Sequence, residues 1–385
     1  MVLLTALSTL SLNMFLPSLA RIADDLEADY AVISLAISGY LACTAVIQLV
    51  VGALSDRLGR RPVLLVAVAL FCMASLGCAL AQDAGTFLIC RMLQGAMITG
   101  YTLSLAMVRD TYGEREAASR ISYISMAMGF APMIGPVLGG ALDASLGWRA
   151  SFYVYALAGI GLLALCWHDV RETRVERDTS TVSHMSDFLE LGRSSRFWSY
   201  AFCNAFSVGA FYIFLTGAPL VAQRQFGVST AELGVLIGTI TAGFIFGGWI
   251  SARATMRVGP DALILTGRLI ACTGPSIGLG LAAAGALSPL GFFGATVLVG
   301  LGNGLTVPGC NARALSVRPK LAGSAAGLSG ALTVALGALL TAGTGALLPD
   351  TKPAFLLLFL IQGATCASLG AAILARRQAT SRNLE

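Results

Sequence analysis

Charged residues occur in short bands separated by long apolar runs. No Asp, Glu, Lys or Arg falls within residues 1–20, 30–55, 62–82, 92–108, 121–142, 150–167, 197–223, 233–252, 269–312, 321–349 or 353–375. A helix rising about 1.5 Å per residue needs about 20 mostly apolar residues to cross a bilayer, and each run reaches that length or nearly does. The run at 269–312 is long enough for two helices and divides near Ser288-Pro289, while Arg91 interrupts a run that starts near Gly85. The pattern predicts twelve spans. The runs lack the alternation of outer-membrane strands, and in lipid a helix is the other element that satisfies its own backbone. The expected fold class is all-α: a polytopic membrane protein with 12 transmembrane helices.

Six spans precede and six follow one long polar segment of alternating charge, which also holds both histidines, His168 and His184. The expected organisation is an N-terminal six-helix bundle (1–167), a cytoplasmic connector (168–197), a C-terminal six-helix bundle (198–376) and a cytoplasmic tail (377–385). Two pseudosymmetric bundles of this kind suit a transporter whose halves rock about a site near the midplane. A weak internal repeat agrees: Gly52, Ser55 and Arg57 after the second span recur at equal offset as Gly248, Ser251 and Arg253 after the eighth, with Ala252 in the place of Asp56.

Composition sharpens the class. The 385 residues are 56% hydrophobic and 12% charged, with mean hydropathy +0.78, against about 25% charged residues in a soluble chain. Placing both termini in the cytoplasm puts nineteen of the 25 basic residues in inner loops and four, Arg21, Arg149, Arg224 and Lys352, in outer ones. The net charge of +5 is therefore a topological signal, and no nucleic-acid partner is implied. The nine cysteines lie in apolar runs without CxxC spacing, so neither disulfides nor a metal site is indicated. The first apolar run is too long for a cleavable signal peptide and is followed by further spans.

Three segments carry specific chemistry. Gly52 to Pro62 reads G-A-L-S-D-R-L-G-R-R-P: glycine permits close helix approach, Asp56 can accept from a helix N-terminus or pair with an arginine, and Arg57, Arg60 and Arg61 suit the anionic inner leaflet. Arg91, with Gln94 and Gly95, stands about six residues inside the fourth span, where a charge is costly and points to function; Gln94, Ile98 and Tyr101 follow at helical spacing. Gly129-x-x-Pro132-x-x-Gly135-Pro136-x-x-Gly139-Gly140 in the fifth span combines kinking prolines with glycines that allow a tight crossing.

In order and register these segments resemble the loop 2–3 signature, the span 4 arginine motif and the span 5 antiporter motif of the major facilitator superfamily. With Gly147-Trp148-Arg149 opening span 6 and Asn13-Met-Phe-Leu-Pro17 ending span 1, the chain is most similar to twelve-span drug:proton antiporters of the Bcr/CflA subgroup. The resemblance implies alternating-access export of small amphiphilic molecules such as antibiotics across the bacterial inner membrane, in exchange for protons, by a monomer. It implies roles in coupling and gating for Arg91, Gln94, Asn13, Asp56, Arg57, Gly135 and Pro136. One departure stands out: the subgroup usually has an acid where this chain has Asn13. All 20 acids can be placed outside span centres, so a proton would have to use a rim carboxylate such as Asp24 or Asp25. Asn13 and Arg91 lie at comparable depth, and an asparagine oxygen can accept from Arg91 but cannot titrate. Such a site favours neutral or anionic cargo over lipophilic cations.

Polar and aromatic residues on the spans that line the superfamily's cavity give the substrate-binding candidates Asn13, Phe15, Tyr101, Asn204, Phe206, Phe211, Tyr212 and Asn303, with Tyr40 and Gln48 from span 2. Arg268 is read as snorkelling to the cytoplasmic face. No enzyme motif and no cofactor is expected, and the absence of Met or His pairs in the relevant spans argues against metal transport. A metabolite exporter or facilitator with altered or absent proton coupling is the alternative reading.

Overall fold

A computed structural model describes residues 1–112, 116, 134–170, 172, 191–318, 322–348 and 353–381. Among them no strand occurs, and the chain forms helices α1 (Val2–Asn13), α2 (Leu19–Asp25), α3 (Tyr30–Leu58), α4 (Arg60–Leu80), α5 (Ala84–Leu93), α6 (Ile98–Thr111), α7 (Ile134–Leu146) and α8 (Arg149–Asp169). After the connector come α9 (Ser195–Leu220), α10 (Thr230–Val258), α11 (Pro260–Ala283), α12 (Pro289–Ser316), α13 (Ala322–Leu347) and α14 (Pro353–Ser381). Among the described residues ten segments are long and apolar enough to cross a membrane, counting α1 and α2 as one, and α7 is a shorter apolar helix. The fourth predicted span is the succession of α5, a 3-10 turn at Gln94–Met97 and α6. The all-α class stands. Most of the run 121–142, expected from the sequence to be the fifth span, lies outside the described residues.

Two of these spans are interrupted. The first stops at Asn13 and resumes through a 3-10 turn at Leu16–Ser18, because Pro17 has no N–H for a helical bond. The fourth tightens at Gln94–Met97 without any proline. Its start is fixed by Asp83, whose side chain accepts from the Thr86 N–H at 2.8 Å and the Thr86 hydroxyl at 2.7 Å. That backbone bond holds the Asp83 carboxyl below its ordinary range.

The chain divides into two compact units. The first comprises residues 1–177 and 228–238, the second 178–227 and 239–385. Within the first, α4 packs along α8, and α1 against α6; within the second, α11 packs along α14 and α12, and α9 against α12, α13 and α14. Large apolar side chains such as Leu157 and Leu339, 70% and 71% exposed, face outward, as a lipid-immersed surface requires. Contacts between helices rely on small residues. A Cβ on Gly243 would lie 2.6 Å from the Val297 carbonyl oxygen, and Cβ atoms on Gly247, Gly300 and Gly304 would strike Leu301, Ile240 and Phe244 carbonyls. Lipid supplies no hydrophobic drive between helices, so backbone approach takes its place.

The glycine turns fix the internal register. Gly59 (φ +97°) and Gly259 (φ +81°) each end a 29-residue helix, and each donates its N–H four residues back, to Ser55 and Thr255, at 3.0 Å. Arg57 therefore corresponds to Arg257 and Asp56 to Met256. The sequence match of 52–57 with 248–253 is one helical turn out of register, an offset that keeps residues on the same helix face and so imitates a true repeat.

Candidate functional site

In the first unit, α1 ends at Asn13, which leaves last-turn carbonyls without helical partners. One of them, Ser11, accepts from Arg91 Nη2 at 2.7 Å. Nη1 of the same guanidinium donates to Gln94 Oε1 at 2.5 Å, and Gln94 Nε2 donates to Ser75 Oγ on α4 at 2.7 Å. The guanidinium lies between the rings of Phe15 and Tyr40, 4.2 and 4.5 Å from their centroids, an arrangement that favours a desolvated cation. The Tyr40 hydroxyl is 2.9 Å from Ser11 Oγ, and the Tyr155 hydroxyl donates to the Leu10 carbonyl at 3.1 Å. Arg91 and Gln94 are fully buried. The cation thus ties α5 to α1, α3 and α4 through neutral acceptors, and no carboxylate bonds to it among the described residues.

Asn13 does not take the bond expected from Arg91. Its Nδ2 donates to the Thr9 carbonyl of its own helix at 2.7 Å, and its buried Oδ1 has no partner among the described residues. Beside it runs the antiporter-like segment: a Cβ on Gly135 would lie 3.2 Å from Asn13 Cβ, and one on Gly139 would run into the Met14 carbonyl oxygen. A Cβ on Gly140 would meet the Thr230 carbonyl, and one on Gly234 the Pro136 carbonyl. Both faces of α7 are therefore closed against backbone, α1 on one side and the first turns of α10 on the other.

The second unit hides another cation. Arg268 is fully buried, which corrects the expectation that it snorkels. Its Nε donates to Thr306 Oγ1 at 2.9 Å, Nη2 to Asn303 Oδ1 at 2.8 Å and Nη1 to Ser368 Oγ at 3.4 Å. Asn303 Nδ2 continues to the Ser207 carbonyl at 2.9 Å, and the Cys310 thiol approaches Cys203 Sγ at 3.4 Å. Snorkelling fails because Gly267 and Gly302 bring α11 and α12 into backbone contact around the side chain. The sequence signal was present: Arg268 abuts an apolar run just as Arg91 does.

The remaining candidates are distributed as follows. Phe15, Tyr40 and Asn303 are buried in these two networks, and Asn13 is buried without joining either. Asn204 donates to Thr333 Oγ1 at 3.2 Å. Phe206 lines an open groove of about 310 Å³ with Ile213, Leu340, Thr344 and Phe359 in the second unit. Phe211 and Tyr212 are half-buried with ring centroids 6.2 Å apart, and a Cβ on Gly337 would sit 2.7 Å from the Tyr212 ring. Tyr101 packs with Leu105 and Tyr112 on Val108, and Gln48 is half-buried on α3. Arg57 is exposed in the last turn of α3; the Asp56 side chain lies outside the described residues. Sequence reasoning missed Glu172, whose carboxylate accepts from the N–H groups of Arg60 and Arg61 at 2.9 and 3.1 Å and so caps α4. Arg60 itself pairs with Asp110 at 2.6 Å.

Long apolar helices crossing through glycine contacts, with a guanidinium held by neutral acceptors inside each unit, define a multi-pass membrane protein. The sequence profile of the Major Facilitator Superfamily matches residues 1–342, and the chain belongs to that family. It is 33% identical over 299 residues, 77% of this chain and 71% of the relative, to a chloramphenicol resistance protein of Pseudomonas aeruginosa. It is 31% identical over 304 residues, 72% of this chain and 77% of the relative, to the multidrug resistance protein MdtL of Escherichia coli O45:K1. The fold is similar to that of a bacterial homologue of the human lysosomal transporter Spinster, with TM-score 0.74, 16% identity and coverage of 97% of this chain and 93% of that one.

Proposed function

We propose that the chain exports small amphiphilic molecules, antibiotics among them, across the bacterial inner membrane by alternating access in exchange for protons. In this reading both termini are cytoplasmic and the monomer is the working unit. The observation that carries it is α7, whose Gly135, Gly139 and Gly140 abut α1 and the first turns of α10: a contact so closely fitted is suited to two discrete states, sealed or parted. The likeness to relatives named for chloramphenicol and multidrug resistance supports amphiphilic cargo. Arg91 would be the element through which span 4 follows spans 1 to 3 as the contact changes. The test is a panel of antibiotic susceptibilities in an efflux-deficient host, with wild type beside Arg91→Ala. Resistance to amphiphilic antibiotics that disappears in the variant supports export, and a wild type that confers none refutes it.

One observation favours a second reading. Neither buried guanidinium bonds to a carboxylate among the described residues, as suits a metabolite exporter or facilitator that moves its cargo without a proton. Vesicles separate the two, since an imposed pH gradient drives uptake only in the first.

A further inference from the structure

Among the residues whose side chains are described, one acid is buried: Asp143, 1% exposed, three residues beyond Gly140 on α7. Arg21 of α2 donates to its Oδ1 and to its backbone carbonyl, at 3.3 and 3.2 Å, but Arg21 is itself 54% exposed. The other carboxyl oxygen, Oδ2, makes no hydrogen bond among the described residues, with Ser18 and Thr230 beside it. Neighbouring charges are engaged elsewhere. Glu232, in the first turn of α10, accepts from the Ser229 hydroxyl at 2.9 Å, and Arg149 at the start of α8 holds Asp25 at 2.5 Å.

We infer that Asp143 is the titratable group linking proton binding to closure of the contact between α7 and the first turns of α10. This rests on the exchange reading above and supplies the proton site that reading lacks. A buried carboxylate with one solvent-screened countercharge and only the Ser18 and Thr230 hydroxyls beside it is costly, whereas a neutral acid that can donate its O–H to such a hydroxyl is not. The contact that buries Asp143 is the one formed by Gly140 on Thr230 and Gly234 on Pro136; parting it admits water to the carboxyl. The closed contact therefore holds the proton and the parted one releases it to water as hydronium. By linkage the closed form is favoured at low pH and lost as pH rises.

The test needs no transported substrate. Ala231, half-buried at this contact, is changed to cysteine, and its rate of labelling by a membrane-impermeant maleimide is compared in the wild-type and Asp143→Asn backgrounds, with the protein lacking the added cysteine as blank. The pH dependence of the thiol cancels in the ratio of the two rates. We expect that ratio to rise at least fivefold from pH 5.5 to pH 8.5, because the neutral amide stays closed. A ratio that does not change with pH overturns the assignment. Should Asp143→Asn fail to fold, Asp143→Glu takes its place: a displaced pH midpoint of labelling supports the assignment and an unmoved one overturns it. Failure of the export reading shows separately, as absence of drug resistance with the labelling ratio intact.

Discussion

Gln94 is a neutral residue whose main task is to hold a charge, and its removal has a consequence of unusual sign. Gln94→Met strips Arg91 Nη1 of its 2.5 Å acceptor and Ser75 Oγ of its 2.7 Å donor, both in buried surroundings. A charge-assisted hydrogen bond contributes about 1.5–3 kcal/mol, and orphaning a buried charged donor costs about as much again in desolvation, so a loss of about 3–6 kcal/mol is expected. Arg91→Met leaves Gln94 Oε1 and the Ser11 carbonyl without donors but relieves a burial that costs about 2.5–3.5 kcal/mol in a membrane, for a net loss of about 0–2 kcal/mol. The double variant leaves the Ser11 carbonyl and Ser75 Oγ without these donors, but both are neutral acceptors and no buried charge is orphaned. It should therefore be more stable than Gln94→Met by about 1–2 kcal/mol, with a coupling of about 2 kcal/mol. Reversible unfolding in mixed micelles measures all four corners of the cycle. Additivity within about 0.5 kcal/mol, or a double variant less stable than Gln94→Met, would refute the account of a cation held by neutral ligands.

Three further changes follow from the same geometry. Gly139→Ala drives a methyl into the Met14 carbonyl and should cost about 1–3 kcal/mol and most of the transport, whereas Gly161→Ala, with open space around its Cβ, should match wild type; equal thermal midpoints for the two would contradict this. Glu172→Ala removes the cap on α4 and should lower stability by about 1 kcal/mol, with an unchanged unfolding curve as the adverse result. Asn13→Asp places a titratable group where Oδ1 has no partner among the described residues, so transport should acquire a steeper pH dependence, read as uptake into vesicles at graded pH; a profile that superimposes on wild type would argue against it.

The spans were legible because charge is excluded from lipid, which makes Asp, Glu, Lys and Arg reliable boundary marks, as at Asp29, Arg60, Arg61 and Asp83. The interruption of span 4 was not legible: Gln94-Gly95-Ala96-Met97 contains no proline, and its 3-10 turn follows from contacts with other helices. Arg91 could be singled out, yet its partner Ser11 could not, since the accepting atom is a backbone carbonyl freed by a helix end 80 residues away. Asn13, polar and at the right depth, was the reasonable candidate and bonds to its own helix instead. Arg268 was misjudged for the related reason that its ligands, Asn303, Thr306 and Ser368, are small polar residues scattered over two other helices, each ordinary in isolation.

The two buried arginines are not copies of each other. The register set by Gly59 and Gly259 places Val68 opposite Arg268, and the matching caps Asp83 and Ser288 place Thr296 opposite Arg91. Each unit has arrived at a guanidinium from a different span. A shared physical need explains this better than retention from a common repeat. Helices in lipid gain nothing from apolar contact with one another beyond packing, and one group with five donors in a rigid fork can fasten several of them at once. Arg91 reaches α1 directly and α4 through Gln94, and Arg268 reaches α12 and α14 directly and α9 through Asn303. Neutral ligands suit that task because the bonds then persist at any pH in which the protein is folded. A proton-sensitive element is therefore best sought away from both networks, where an acid is buried beside a contact that can part, and α7 carries such an acid next to its glycines.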